Sequence, residues 1–133
     1  LKAQGKIRHV GVSNFSEDQF HAAERVTPVV SVQNRYNAAD RSSESMVDLC
    51  EQEQLAFLPW APIRDPGRNP AVGEAAGRHD ASPHQIVLAW LLARSPQMLP
   101  IPGSGDPRHV EQNIAAASLA LDPDEVSAIS NAM

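Results

Sequence analysis

The stretch PIPGSGDPRHVEQN, residues 100–113, decides how this chain is read. An apolar strand end runs into a Gly-Ser-Gly turn, and Asp106-Pro107 then opens a helix with proline at its start. Backbone N–H groups at such a junction face outward together with the positive end of the helix dipole. That arrangement receives an anion. Strand, turn and helix in this order are also the repeating unit of a parallel α/β fold, so the rest of the chain is read for further copies.

Three more β-like runs precede it. With Met98–Ile101 they are Ile7–Val12 (IRHVGV), Val29–Gln33 (VVSVQ) and Ala56–Trp60 (AFLPW). Each is followed by turn or cap residues and then by a helical pattern. Ser16 with Gln19 has capping-box spacing, and Ser82-Pro83-His84-Gln85 repeats it with proline at the first helical position. Met46, Leu49 and Cys50 fall on one helix face, and a weaker helix is predicted around residues 71–78. Ile86, Ala89, Trp90 and Ala93, widened by Val87 and Leu91, predict the inner stripe of the strongest helix. Val110, Ile114 and Ala117 predict that of the next, and Asp122-Pro123-Asp124-Glu125 starts a last one. Strands alternating with helices predict an α/β fold with a parallel sheet. Strand starts at 7, 29, 56 and 98 lie 22, 27 and 42 residues apart, against an average of roughly 31 per unit in a TIM-type (β/α)8 barrel. Four such units make half a barrel; a small doubly wound α/β domain is the alternative.

Composition narrows the function. The 133 residues suffice for one domain with a core. The net charge of −5 leaves no basic stripe for nucleic acid. The longest apolar run, Ile86–Ala93, falls far short of the roughly 20 residues that cross a bilayer, so no membrane partner is expected. A single cysteine, Cys50, excludes an internal disulfide and fits a reducing, cytoplasmic setting. The chain opens on Leu1 and runs directly into a strand pattern, as expected of a segment of a longer protein.

In parallel α/β folds, ligands sit beyond the carboxyl ends of the strands. There the sequence places Ser13 and Asn14, Gln33 and Asn34, Trp60, and Gly103 and Ser104. Amides and a hydroxyl suit a primary amide, the indole suits a planar ring, and the glycine turn suits an anion. Each has a bland counterpart. Ser13-Asn14 can cap a turn, Gln33 can be a satisfied polar group, Trp60 can be core, and GSGD can be a plain loop.

GKIRHVGVSNF, SVQNRYN, LPWAPI and IPGSGDPRHVEQNIAAA occur in order, and over essentially the whole chain they resemble the second half of an aldo-keto reductase. The match is to the bacterial type with an IPG(S/T)…H(V/L)xEN signature. The resemblance implies the C-terminal half of a (β/α)8 barrel, strands five to eight, over residues 1–133. It also implies a nicotinamide dinucleotide, NADPH ahead of NADH, lying across the carboxyl-end face. Ser13, Asn14 and Gln33 match the residues that hold the nicotinamide carboxamide, and Trp60 matches the aromatic that stacks on its ring. Ala61, Pro62 and Ile63 match the stretch beside the pyrophosphate. Ile101, Pro102, Gly103 and Ser104 match the turn at the adenosine 2′-phosphate, with Arg108, His109, Gln112 and Asn113 beside that phosphate and the adenine.

The chain also departs from the family. Ile63-Arg64 stands where relatives commonly have Leu-Gly. Gly103 and His109 stand where some branches have Lys and Arg, which leaves Arg108 as the cation in the first helical turn. The family's catalytic Asp, Tyr, Lys and His come from the first four βα units, and none of those motifs occurs here. The one tyrosine, Tyr36, matches no catalytic position. The resemblance therefore implies part of an NAD(P)H-dependent reductase of aldehydes and ketones, inactive alone. Its partners would be a carbonyl substrate in the parent and an N-terminal half-barrel, or self-association through open sheet edges. Two rival functions share the fold: a non-catalytic NADPH-binding module, and a phosphate-binding half-barrel of another enzyme class.

Overall fold

A computed structural model describes residues 1–132. Three parallel strands, β1 (Val10–Ser13), β2 (Val29–Gln33) and β3 (Ala56–Phe57), lie side by side in chain order. The helices are α1 (Glu17–Glu24), α2 (Glu44–Gln52), α3 (Pro70–His79), α4 (Pro83–Arg94), α5 (Pro107–Ala115) and α6 (Pro123–Asn131). The parallel α/β architecture predicted from the alternation is present. Short 3-10 turns occur at Lys2–Gln4, Pro66–Arg68 and Ala116–Ser118.

The strands are shorter than predicted, and proline explains most of the loss. Ladder hydrogen bonding continues past β3 through Leu58 N to Val32 O and Trp60 N to Asn34 O. Pro59 between them has no N–H to donate. The fourth run, Met98–Ile101, is reduced to a single bridge between Phe57 and Met98. Leu99 N still donates to Phe57 O, but Pro100 and Pro102 end the ladder on either side of Ile101. The first strand begins at Val10 and not Ile7. Its register to β2 slips between Val10 and Gly11, and Pro28 leaves nothing to pair with further upstream. At Gly11 the close approach of β2 demands glycine, because a Cβ there would lie 2.4 Å from Ser31 Oγ.

Three helix starts follow their sequence signals. Ser16 with Gln19, Ser82 with Gln85, and Asp122 with Glu125 all form reciprocal capping boxes. Helix α4 is buried on every residue from Ile86 to Leu91, so it is a central helix and not an amphipathic one. Ala93, read as part of its inner face, is exposed. The same holds for α5, where Val110 and Ile114 are 44% and 69% exposed and Ala117 also faces outward. Ala116, in the turn after α5, is the residue buried there.

The core joins the sheet to the helices around Phe20, Val32, Val47, Phe57, Ile86, Trp90 and Leu91. Tyr36 is fully buried in it, stacked on Trp90 with ring centroids 5.7 Å apart and edge-on to Phe57. Its hydroxyl donates to Glu44 Oε2 at 2.7 Å. Burial, reinforced by that carboxylate, raises the phenol well above the ordinary tyrosine range. Burial also pushes the Cys50 thiol up to about 11, which keeps it protonated and inert. Asn69 ties the end of the chain to the rest: its amide donates to Ala38 O, Ile129 O and Ala132 O while its Oδ1 caps α3 through Ala71 N.

Candidate cofactor-binding site

The first group of candidate residues meets at the carboxyl ends of the strands. Ser13 Oγ donates to Gln33 O at 3.0 Å, and Asn14 N donates to the same carbonyl at 3.0 Å. Asn14 sits at φ 56°, in the left-handed region that asparagine tolerates better than most residues. That turn sends its side chain across the sheet, where Oδ1 accepts from Trp60 Nε1 at 2.8 Å. The Arg35 guanidinium lies over the Trp60 ring, 5.7 Å from its centroid. Arg35 Nε is 3.0 Å from Asp40 Oδ2. Asn14 and Arg35 therefore fix the indole from its edge and one face, while the residue stays partly exposed. The Gln33 side-chain amide makes no hydrogen bond among the described residues. The group thus presents a free primary amide beside a positioned aromatic plane.

Two further asparagines hold this arrangement, one read from the sequence only as a strand-end residue and the other not singled out there. Asn34, buried at the end of β2, donates to Phe15 O at 2.9 Å and accepts from Phe15 N at 3.2 Å, clamping the loop after β1. Asn37, 1% exposed, donates to Ala61 O at 3.0 Å and accepts from Ala39 N at 2.9 Å. Ala61 has φ 51°, a conformation costly for a residue with a Cβ, and Asn37 supplies its restraint. The signal in the sequence was the recurrence of asparagine in QNRYN directly after a strand. A buried amide there must find hydrogen-bond partners in its own or a neighbouring strand's loop.

The second group lines a separate cavity of about 170 Å³. Ile63, Gly103, Ser104, His109, Gln112 and Asn113 all border it, as read from sequence, together with Ser82 and His84 from the start of α4. The two added residues had been read as helix cap alone. The glycine turn owes nothing to left-handed backbone, since neither Gly103 nor Gly105 has positive φ. Ser104 shapes it, its Oγ accepting from Asp106 N at 3.1 Å. A Cβ at Gly103 would meet nothing within 4 Å, so the glycine leaves open space beside the cavity.

Some candidates lie elsewhere. Arg108 is turned away: its guanidinium pairs with Asp106 Oδ2 at 2.8 Å while its backbone N–H is capped by the same carboxylate. The pairing holds Asp106 below the usual carboxylate range, so Arg108 is a partner of its own N-cap and not a free cation at the cavity. Ile101 and Pro102 do not border the cavity; Ile101 is exposed. Pro62 is buried under the loop and Ala61 half-buried. A wider, open groove of about 710 Å³ borders Asn14 and runs over the start of α1 toward Ser42 and Met46. Among the described residues no group of His, Cys, Asp and Glu could hold a metal ion, and no helix is long and apolar enough to cross a membrane.

The family model described as "Aldo/keto reductase family" matches residues 1–133. An uncharacterized oxidoreductase of Schizosaccharomyces pombe is 42% identical over 130 residues, which are 93% of this chain and 42% of that protein. A thermostable aldo-keto reductase crystallised with the inhibitor epalrestat superposes with a TM-score of 0.90 at 30% identity, over 97% of this chain and 50% of its own. An aldo/keto reductase from Klebsiella pneumoniae, in complex with NADP and acetate, superposes with a TM-score of 0.84 at 29% identity, over 97% of this chain and 49% of its own. The chain spans about half the length of the relatives it matches. An asparagine hydrogen-bonded to an indole at the strand ends, a cavity at a helix start, and a match along the full sequence give one result: the chain belongs to the aldo/keto reductase family.

Proposed function

We propose that this chain forms the C-terminal half of a (β/α)8 barrel and supplies the dinucleotide site of an NADPH-dependent carbonyl oxidoreductase. The observation that carries the reading is the Asn14–Trp60 hydrogen bond. It holds an aromatic plane at the strand ends beside the free amide of Gln33, with the cavity of Gly103 and His109 available for the other end of an extended ligand. The residues fit the group. Gln33, with Ser13 and Asn14, orients a carboxamide. Trp60 stacks on the nicotinamide ring. The strained Ala61 turn, with Pro62 and Ile63, passes the pyrophosphate. Gly103, Ser104, His109, Gln112 and Asn113 enclose the adenosine phosphate. When bound, the dinucleotide supplies hydride to a carbonyl carbon. The NADP complex of the Klebsiella relative supports the choice of cofactor.

The proton for the carbonyl oxygen has no source in these residues. A general acid must reach the substrate and have an accessible proton. Tyr36 is fully buried with its hydroxyl committed to Glu44, and Lys2 and Lys6 lie before β1. This favours a second reading for the chain by itself, nucleotide binding without turnover. Both readings are tested by titrating NADPH while following tryptophan emission. Trp90, buried and donating to Ser130 Oγ at 3.0 Å, is the internal control. The expected result is quenching that disappears in Trp60→Leu. Quenching that survives the substitution removes the stacking role, and NADPH-dependent turnover of an aldehyde by this chain alone removes the division of labour.

A further inference from the structure

Resting on the cofactor reading above, we infer that Arg35 acts on the nicotinamide through Trp60 and biases the site toward the neutral, reduced ring over the cationic, oxidised one. Arg35 and Trp60 are register partners where the chain after β2 and the chain after β3 still bridge in parallel, so the two side chains rise on one face of the sheet. The guanidinium carbon lies 5.7 Å from the indole centroid, within cation–π range. The indole has two further anchors: Trp60 N donates to Asn34 O at 3.0 Å, and Nε1 donates to Asn14 Oδ1 at 2.8 Å. What Arg35 alone adds to this ring is charge.

With the guanidinium over one face of the indole, a stacked ligand takes the other. Arginine stays protonated at any working pH. The nicotinamide ring is positively charged when oxidised and neutral when reduced, and the phosphates of the two forms are the same. The oxidised ring therefore puts a second cation on an indole whose negative π cloud already serves Arg35. With a stacking gap of about 3.5 Å added to the Arg35 contact, the two cations are roughly 9 Å apart, close to one Debye length in physiological salt. The repulsion is modest, and Asp40 limits it further. Asp40 Oδ2 is 3.0 Å from Arg35 Nε, yet that buried Nε finds no hydrogen-bond partner among the described residues. Asp40 Oδ1 accepts from Ser42 N and Ser42 Oγ instead. The carboxylate offsets the guanidinium without capturing it, so removing one charge or the other should move the preference in opposite directions.

The test is calorimetric titration of the chain with NADPH and with NADP+ at constant pH and low salt, read as the ratio of the NADP+ to the NADPH dissociation constant. Arg35→Met keeps an apolar stem on the indole and is expected to lower this ratio about threefold. Asp40→Asn keeps an acceptor for Ser42 and is expected to raise it about twofold. Where circular dichroism shows Arg35→Met unfolded, Asp40→Asn carries the test alone. A ratio that stays constant while both affinities change together overturns the inference: Arg35 then only holds its loop, and the cofactor reading stands. A ratio that moves the same way in both variants overturns it too. Failure of both nucleotides to bind the unmodified chain overturns the cofactor reading itself.

Discussion

At the scale of single residues, the site is built by a few polar atoms with fixed partners. Asn14 does two things: it adopts positive φ and it holds the Trp60 indole. Asn14→Gly separates them, since glycine keeps the backbone and removes the acceptor. One net hydrogen bond is worth about 1 kcal/mol, so NADPH affinity is expected to fall about fivefold in a titration, with the tryptophan emission of the free protein changed as well. Unchanged affinity would show that the indole needs no anchor. The placement of Ser13, Asn14, Gln33 and Trp60 at the strand ends was legible in the sequence, because strand ends leave a local signal. Asn37 and His84 were not. Asn37 bonds to Ala61, 24 residues away, and His84 borders a cavity that α5 also lines. Such partners exist only once the units pack. Arg108, read as a cation for the cavity, does not border it, and its guanidinium pairs with Asp106 two residues away.

At the scale of elements, helix caps and the parallel order of the first three strands were legible, and the shortened pairing of the fourth run was not. All three capping boxes need only four residues each, and all three formed. The run Met98–Ile101 looked like a strand by composition, but Pro100 within it and Pro102 after it cannot donate to a ladder. The last helix shows how a cap becomes a tertiary tie. Glu125 closes the box of α6 and also meets Arg78 Nε and His79 Nε2 at 2.8 Å each, joining α6 to α3. The hydrogen bond with His79 is the main cause of a carboxyl held down at about 2, with Arg78 and the Asp122 backbone adding to it against burial. A folded-state value below the unfolded one stabilises the protein above the ordinary carboxylate range. That contribution is lost as pH falls from about 4.5 toward 2. Urea unfolding at pH 6 should find Glu125→Gln less stable, and the gap should shrink to a minor part of that value by pH 2.5. A gap of constant size across that range would contradict the tie.

At the scale of the whole chain, α/β order was legible from periodicity alone, but which faces are covered was not. Helix α5 has no buried residue, and β1 pairs on one side only among the described residues. With Leu99 and Val26 also exposed, the chain offers apolar surface and an open edge of the kind that drives association. Sedimentation velocity at rising concentration is expected to show self-association, and a monodisperse monomer throughout would contradict this. The central claim is that two separate groups on one face hold the two ends of one dinucleotide. Amide-resolved NMR with two fragments tests it most directly. Nicotinamide mononucleotide should shift the Trp60 indole N–H and the amides of residues 13–15 and 33–35. A 2′,5′-bisphosphoadenosine should shift residues 82–85 and 103–113 and leave the first set in place. Both fragments shifting the same set, or neither shifting any, would contradict the account.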